Sequence, residues 1–308
     1  MDVITADGTK LSREMPRRCI ICGGPASACA RSRAHGLAAV QSATKDILVR
    51  GAAEAIADTA VKALKKEAHL TPKPGLVDEN DCGAHRDMDI ELLDRSAECL
   101  RKYFRDAAII SATHEAPADE LIKAGREAEC VMLEQTRGIN THRGAIYAFG
   151  LMAAAYARRL VSGDDIADTV RSIAGLTAGG GSSTHGGKAA SAYGARGARD
   201  EALAGYPCAF RAYEYMESGG DELGALMTVM AELDDTNLYH RGGAEGVAIA
   251  RETARRALCL SGTARRDFLA KANDMFIKNN LSPGGSADML ALAIFIHDMK
   301  KREKYSDC

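Results

Sequence analysis

The 308-residue sequence has almost no excess charge of either sign: 40 basic side chains stand against 42 acidic ones, for a net of -2. No global field therefore draws the chain onto nucleic acid or anionic lipid, and an anionic ligand has to be held locally. The first residues lack a basic segment followed by an apolar one, and no apolar run is long enough to cross a bilayer. These absences predict a soluble, cytoplasmic protein with no nucleic-acid and no membrane partner. Nine cysteines, an odd number scattered through a large charged chain, suit reduced thiols better than a disulfide framework. Strand-like alternation and repeats of fixed period are both missing.

What remains is helical pattern. From about His35 to Leu70 the chain is rich in Ala, Lys, Glu and Leu, and it has no Gly or Pro between Gly51 and Pro72. Leu121, Ala124, Ala128, Val131 and Met132 recur at helical spacing, as do Ile146, Phe149, Ala153, Tyr156 and Leu160, and then Leu223, Leu226, Met227 and Met230. The run from Met289 to Met299 is apolar nearly all round, which predicts a buried helix. The expected fold is all-α, a compact multi-helix bundle. Residues 1–35 form an N-terminal appendage and residues 36–308 a catalytic domain whose site is built from interhelical loops.

Five connections have unusual composition: 71–89, 138–144, 179–188, 234–243 and 282–288. In Gly138-Ile139-Asn140-Thr141-His142-Arg143-Gly144, either Asn140 or Thr141 can cap the helix that follows, and its free N–H groups favour an anion. Ser282-Pro283-Gly284-Gly285-Ser286 leads into the last apolar helix in the same way, with glycines that let backbone approach a phosphate. A triphosphate arrives with Mg²⁺, which needs carboxylates; Asp87, Asp89, Asp234 and Asp235 are the candidates. Asp and Asn also favour turns on their own account, but His240-Arg241-Gly242-Gly243 close behind Asp235 tips the balance toward a site. Other motifs fail. The 179–188 segment does not match a phosphate loop, because Ser182 stands where the first glycine is required and Ala189 follows Lys188. No Gly-x-Ser-x-Gly elbow is present.

Four ordered blocks resemble the triphosphoribosyl-dephospho-CoA synthase family, which serves citrate lyase and malonate decarboxylase. They are Thr71 to Asp78 with Gly83 to Asp89, Gly138 to Ala145, Asp235 to Asn237 with His240 to Gly243, and Ser282 to Asp288. Thr184-His185-Gly186 and Tyr193-Gly194 resemble a fifth. Arg143 stands where the family usually has Lys, and Asp200 where it usually has Gly. The resemblance implies transfer of the triphosphoribosyl unit of ATP to the 2′-hydroxyl of 3′-dephospho-CoA, with release of adenine. The implied α-linkage, made from a β-nucleotide, suits a single inverting displacement through an oxocarbenium-like transition state.

On that reading Asp87, Asp89 and His85 are expected to be catalytic, and Asp234 and Asp235 to hold Mg²⁺. Lys73, Gly75, Asn140, Thr141, His142, Arg143, Thr184, His185, Asn237, His240, Arg241, Gly242, Ser282, Gly284, Gly285 and Ser286 would bind substrate. A downstream phosphoribosyl-dephospho-CoA transferase and the acyl carrier protein of the lyase follow as partners, and exposed helix faces suit a homodimer. A helical Mg²⁺-dependent nucleotide hydrolase and a non-catalytic helical scaffold are the competing readings. The polar clusters count against the scaffold, and adenine release that depends on dephospho-CoA would separate transferase from hydrolase.

The stretch from Pro16 to His35 resembles the C-terminal tail of that partner transferase over about twenty residues, too short to carry its activity. Cys19, Cys22, Cys29 and His35 could bind zinc, since thiolates two residues apart can share a tetrahedral metal. The later spacing is not that of a standard finger, and the reading preferred from sequence is free thiols.

Overall fold

The computed structural model describes residues 3–4, 8, 10–11, 15–177 and 193–306. The chain divides into two units, residues 1–51 and 52–308. The first holds a two-residue antiparallel ladder of β1 (Val3–Ile4) and β2 (Lys10–Leu11), helix α1 (Ala26–Ser32) and the start of α2 (Leu37–Ala68). The predicted long helix is therefore present, and its gap-free Ala/Lys/Glu/Leu composition is the reason.

Every regular element described in the second unit is an α-helix. After α2 come α3 (Ile90–Cys99), α4 (Arg101–Thr113), α5 (Ala118–Gln135), α6 (Arg143–Ser162) and α7 (Ile166–Leu176). Beyond the 178–192 segment follow α8 (Ala198–Leu203), α9 (Pro207–Glu217), α10 (Glu222–Glu232), α11 (Thr236–Leu258), α12 (Gly262–Lys278) and α13 (Gly284–Ser306). Acidic caps start several of them: Asp89, Asp165 and Asp221 each accept the backbone N–H three residues on. Among the described residues, no helix is long and apolar enough to cross a membrane.

Helix α6 lies at the centre, packed against α4, α5, α7 and α13. Its buried alanines at 145, 148, 153, 154, 155 and 157 let neighbouring backbones approach closely, and Phe149 and Tyr156 fill the remaining space. Phe104, Phe149, Phe295 and Tyr156 form a continuous aromatic chain with ring centroids 5.4 to 5.6 Å apart. As the sequence predicts, Met289 to Ile296 of α13 are buried without interruption. Two expected core positions turn out to be solvent-facing: Val131 is 42% exposed and Leu160 57%. Val131 is one residue, about 100° of turn, from fully buried Met132, and Leu160 sits in the last turn of α6.

Candidate active site

The loop after α2 folds around the carboxylate of buried Asp78. One oxygen accepts from Thr71 Oγ1 and the Lys73 N–H, both at 2.9 Å, and the other from the N–H groups of Asn80 and Asp81. Lys73 is 1% exposed, and its ammonium donates to both the carboxylate and the carbonyl of Glu67 at 2.6 Å. An acidic side chain is unfavourable beside the free carbonyls at the end of α2, so Glu67 gains from this cation. Gly75 has φ +73° and lies so close under the Leu281 carbonyl that any Cβ would overlap it. Its N–H donates to Asn273 Oδ1 at 2.8 Å. The first motif block is thereby fastened to α12.

The same closure continues at His85. Arg241 donates to the His85 Nδ1 at 3.2 Å and to the Ala84 carbonyl and Asn280 Oδ1 at 2.9 Å. With Nδ1 accepting, the Nε2–H donates to Ser282 Oγ at 2.8 Å. Asp87 is exposed, 4.0 Å from His85 Nδ1, while Asp89 accepts the Leu92 N–H as the cap of α3. Ser96 Oγ links Thr141 Oγ1 at 2.6 Å and His142 Nδ1 at 2.7 Å. Asn140 Oδ1 accepts the N–H of Arg143, whose guanidinium pairs with Glu129.

Three helix starts, those of α6, α11 and α13, converge. Asp235 is 1% exposed and is shared between two of them. Its Oδ1 accepts the N–H groups of Asn237 and Leu238, and its Oδ2 accepts Ser286 N–H at 2.8 Å and Ser286 Oγ at 2.9 Å. Asn237 Nδ2 lies 2.6 Å from where a Cβ on Gly284 would be, and Gly285 packs on the Asp235 carboxylate. Gly144, at the start of α6, lies against the Asp288 carboxylate so tightly that a Cβ would overlap it. Asp234, by contrast, pairs with Arg251 at 2.7 Å and accepts the Arg196 N–H. It also lines a cavity of about 210 Å³ with Arg196, Glu201 and Arg211. Gly242 lies beneath the Leu281 side chain, and His240 is exposed on α11. Thr184 and His185, with the 179–188 segment, lie outside the described residues.

Asp288 is the residue that sequence reasoning left out of the site, although it closes the fourth block. No protein donor among the described residues reaches its oxygens. Burial, and then the nearby Glu67 and Asp235 carboxylates, push its pKa well above the ordinary carboxylate range. The signal available in the sequence was a lone acid at the head of an otherwise apolar helix. Glu67 was also missed, because one Glu among several in a long helix carries no local mark.

Burial, then the Arg241 charge, holds His85 down to about 4, with Asp87 opposing; burial holds His142 down to about 4 as well. Both imidazoles are neutral at pH 7. In the unfolded chain each takes up a proton near 6.5, so stability is lost as pH falls from that value toward the folded one. Buried His142 should account for a loss of about 2 kcal/mol by pH 5. His142→Gln should accordingly flatten the drop in urea midpoint between pH 7 and pH 5. An unaltered drop would show that His142 protonates freely in the folded protein.

The family described as ATP:dephospho-CoA triphosphoribosyl transferase matches residues 53–307. The chain belongs to this family. A second family, apo-citrate lyase phosphoribosyl-dephospho-CoA transferase, matches residues 1–50, a longer stretch than the twenty or so residues legible as that enzyme's tail. A probable 2-(5''-triphosphoribosyl)-3'-dephosphocoenzyme-A synthase of Pseudomonas paraeruginosa is 39% identical over 264 residues, covering 79% of this chain and 90% of the relative. The 2-(5''-triphosphoribosyl)-3'-dephosphocoenzyme-A synthase of Haemophilus ducreyi is 34% identical over 319 residues, 89% of this chain and 98% of the relative. Protein CitXG of Haemophilus influenzae is 33% identical over 334 residues, 96% of this chain and 72% of the relative. No solved structure matches the chain. All four blocks quoted from the sequence fall within the transferase match, and the structure brings residues from each of them together.

Proposed function

We propose that this transferase moves the triphosphoribosyl unit of ATP onto the 2′-hydroxyl of 3′-dephospho-CoA. The bond from the ribose C1′ to adenine breaks with its electron pair going to the base nitrogen, a bond from C1′ to the acceptor oxygen forms, the hydroxyl proton passes to a carboxylate, and the departing adenine takes up a proton from solvent. The observation that carries the reading is the convergence of three helix N-termini from the family blocks, since their dipoles, and the N–H groups of Gly284 and Gly285 at the start of α13, suit a polyphosphate. The starts of α6 and α13 would hold the triphosphate, with Arg143 and Arg241 as cations. Lys73 is committed to Glu67 and His85 lies between Arg241 and Ser282, so both act as positioning residues.

The carboxylate roles follow from which oxygens have acceptor capacity left. Asp234 and Asp235, expected as metal ligands from sequence, already have protein partners, and all four acceptor directions of Asp235 are taken. Asp288 has no such partner, and its carboxylate oxygens are the kind of donor that a hard divalent cation takes. We therefore assign Mg²⁺ binding to Asp288. When bound, Mg²⁺ neutralises triphosphate charge. Asp87 takes the part of base: it is exposed beside His85, whereas Asp89 caps α3.

The match of residues 1–50 to the apo-citrate lyase transferase favours citrate lyase over malonate decarboxylase as the destination of the product. The partner transferase would then load it onto the lyase's acyl carrier protein. Incubation with ATP, 3′-dephospho-CoA and Mg²⁺ is expected to give free adenine and a triphosphorylated conjugate by mass analysis, with adenine release dependent on dephospho-CoA. Release of ADP and phosphate with no conjugate would replace the transferase by the hydrolase reading.

A further inference from the structure

The first unit presents a problem of stability. Of its described residues, Val49 alone is buried, and α1 buries none. A segment this small seldom holds a fixed fold without a disulfide, a metal or a partner. Yet residues 17–35 adopt a defined shape. Cys19 N–H donates to the Gly24 carbonyl at 2.7 Å, and the Gly23 N–H returns to the Cys19 carbonyl at 2.9 Å. Arg18 bridges Pro25, and α1 then runs to Arg33, whose left-handed φ of 49° turns the chain toward His35.

Cys19, Cys22, Cys29 and His35 are brought together by that course. One ligand atom from each lies within 4.8 Å of all the others. Tetrahedral zinc with bonds of about 2.3 Å to sulfur sets its thiolates roughly 3.8 Å apart. Cys22 Sγ and Cys29 Sγ are 3.5 Å apart, too far for a disulfide and close to that spacing. The imidazole supplies a second, independent sign: His35 Nε2 is buried and has no hydrogen-bond partner, in a residue that otherwise belongs to an exposed segment. A buried imidazole nitrogen without a partner, on a residue clustered with three cysteines, has the chemistry of a metal ligand.

We propose that Cys19, Cys22, Cys29 and His35 bind one structural Zn²⁺ that holds the N-terminal unit together. The backbone N–H groups of Cys22 and Ile21 point at the Cys19 sulfur. Such bonds orient and stabilise a metal-bound thiolate. Binding releases the remaining thiol protons to solvent and leaves a net charge of -1 on the ion and its ligands, and Arg17, Arg18, Arg31 and Arg33 lie nearby in sequence to offset it. Spacing alone does not suggest such a site, because no standard finger has six residues between its second and third ligands. Four ligands are nevertheless united by one tight turn and one short helix.

The experiment uses the full chain, purified without metal-affinity steps or chelator. Mass spectrometry of the metal content should find close to one zinc per chain, released when an organomercurial titrates the thiols. Exchange with Co²⁺ should produce visible d–d bands and near-ultraviolet thiolate charge transfer. C22S and His35→Ala should each lose the bound zinc, while C259S retains it. Chelator should also speed tryptic cleavage at Arg31 and Arg33, with helical circular dichroism from residues 52–308 unchanged. Substoichiometric zinc, below about a tenth per chain, together with a cobalt spectrum lacking thiolate bands would overturn the proposal. So would full zinc retention in C22S and His35→Ala. These readouts are independent of ribosyl transfer, so failure of either reading leaves the other standing.

Discussion

Replacing Asp288 by Asn should lower turnover by about 10²–10³-fold while the protein stays folded. The amide keeps the size of the carboxylate and its fit against Gly144 but cannot neutralise a cation. Because Asp288 loses no protein hydrogen bond in the change, thermal stability should be held or slightly raised: the acid is buried near Glu67 and Asp235, and its charge is unfavourable without metal. Turnover should recover in part when Mg²⁺ is raised or replaced by Mn²⁺. That recovery distinguishes Asp288 from the base, since Asp87→Asn should depress turnover at every metal concentration and alter the pH profile. A deficit in Asp288→Asn that is identical at all Mg²⁺ concentrations would remove it from the metal site.

Asp235→Ala should do its damage differently, through stability. Four donors lose their acceptor at once, among them the Ser286 and Leu238 N–H groups in buried positions. An unsatisfied buried donor costs about 1–3 kcal/mol and loss of an N-cap about 1 kcal/mol, so the expected fall is about 3–5 kcal/mol. Asp235→Asn should be intermediate, because one amide oxygen can serve the start of α11 or Ser286 but not both. Urea denaturation measures both variants. A change under about 0.5 kcal/mol in the Ala variant, ordinary for a surface position, would show that α11 and α13 are held in register by other contacts.

The helical fold was legible because the apolar residues of α6, α10 and α13 repeat at 3.6-residue spacing or fill the helix all round, and burial follows that pattern directly. Val131 and Leu160 misled because a helical stripe drifts, and spacing says nothing of where a neighbouring helix stops. The site was legible as a set of loops but not as roles. Lys73 and Arg241 look alike in sequence, yet one is closed off against Glu67 and the other spans His85 and Asn280. Asp235 reads as a ligand until its Ser286 partner, fifty-one residues on, comes into view. Asp200 has a local role: its carboxylate accepts the Gly197 N–H and caps α8.

The clasp between the first and last motif blocks also sets a timetable. His85 and Ser282 are 197 positions apart, and Gly75 and Asn273 198. During synthesis, which proceeds N-terminus first, the early loop leaves the ribosome long before its partners exist. Gly75 has no Asn273 to receive its N–H, and neither Asp235 nor Gly144 has its counterpart from α13. The triphosphate and Mg²⁺ sites proposed above therefore stay incomplete in a nascent chain until α13 emerges and docks.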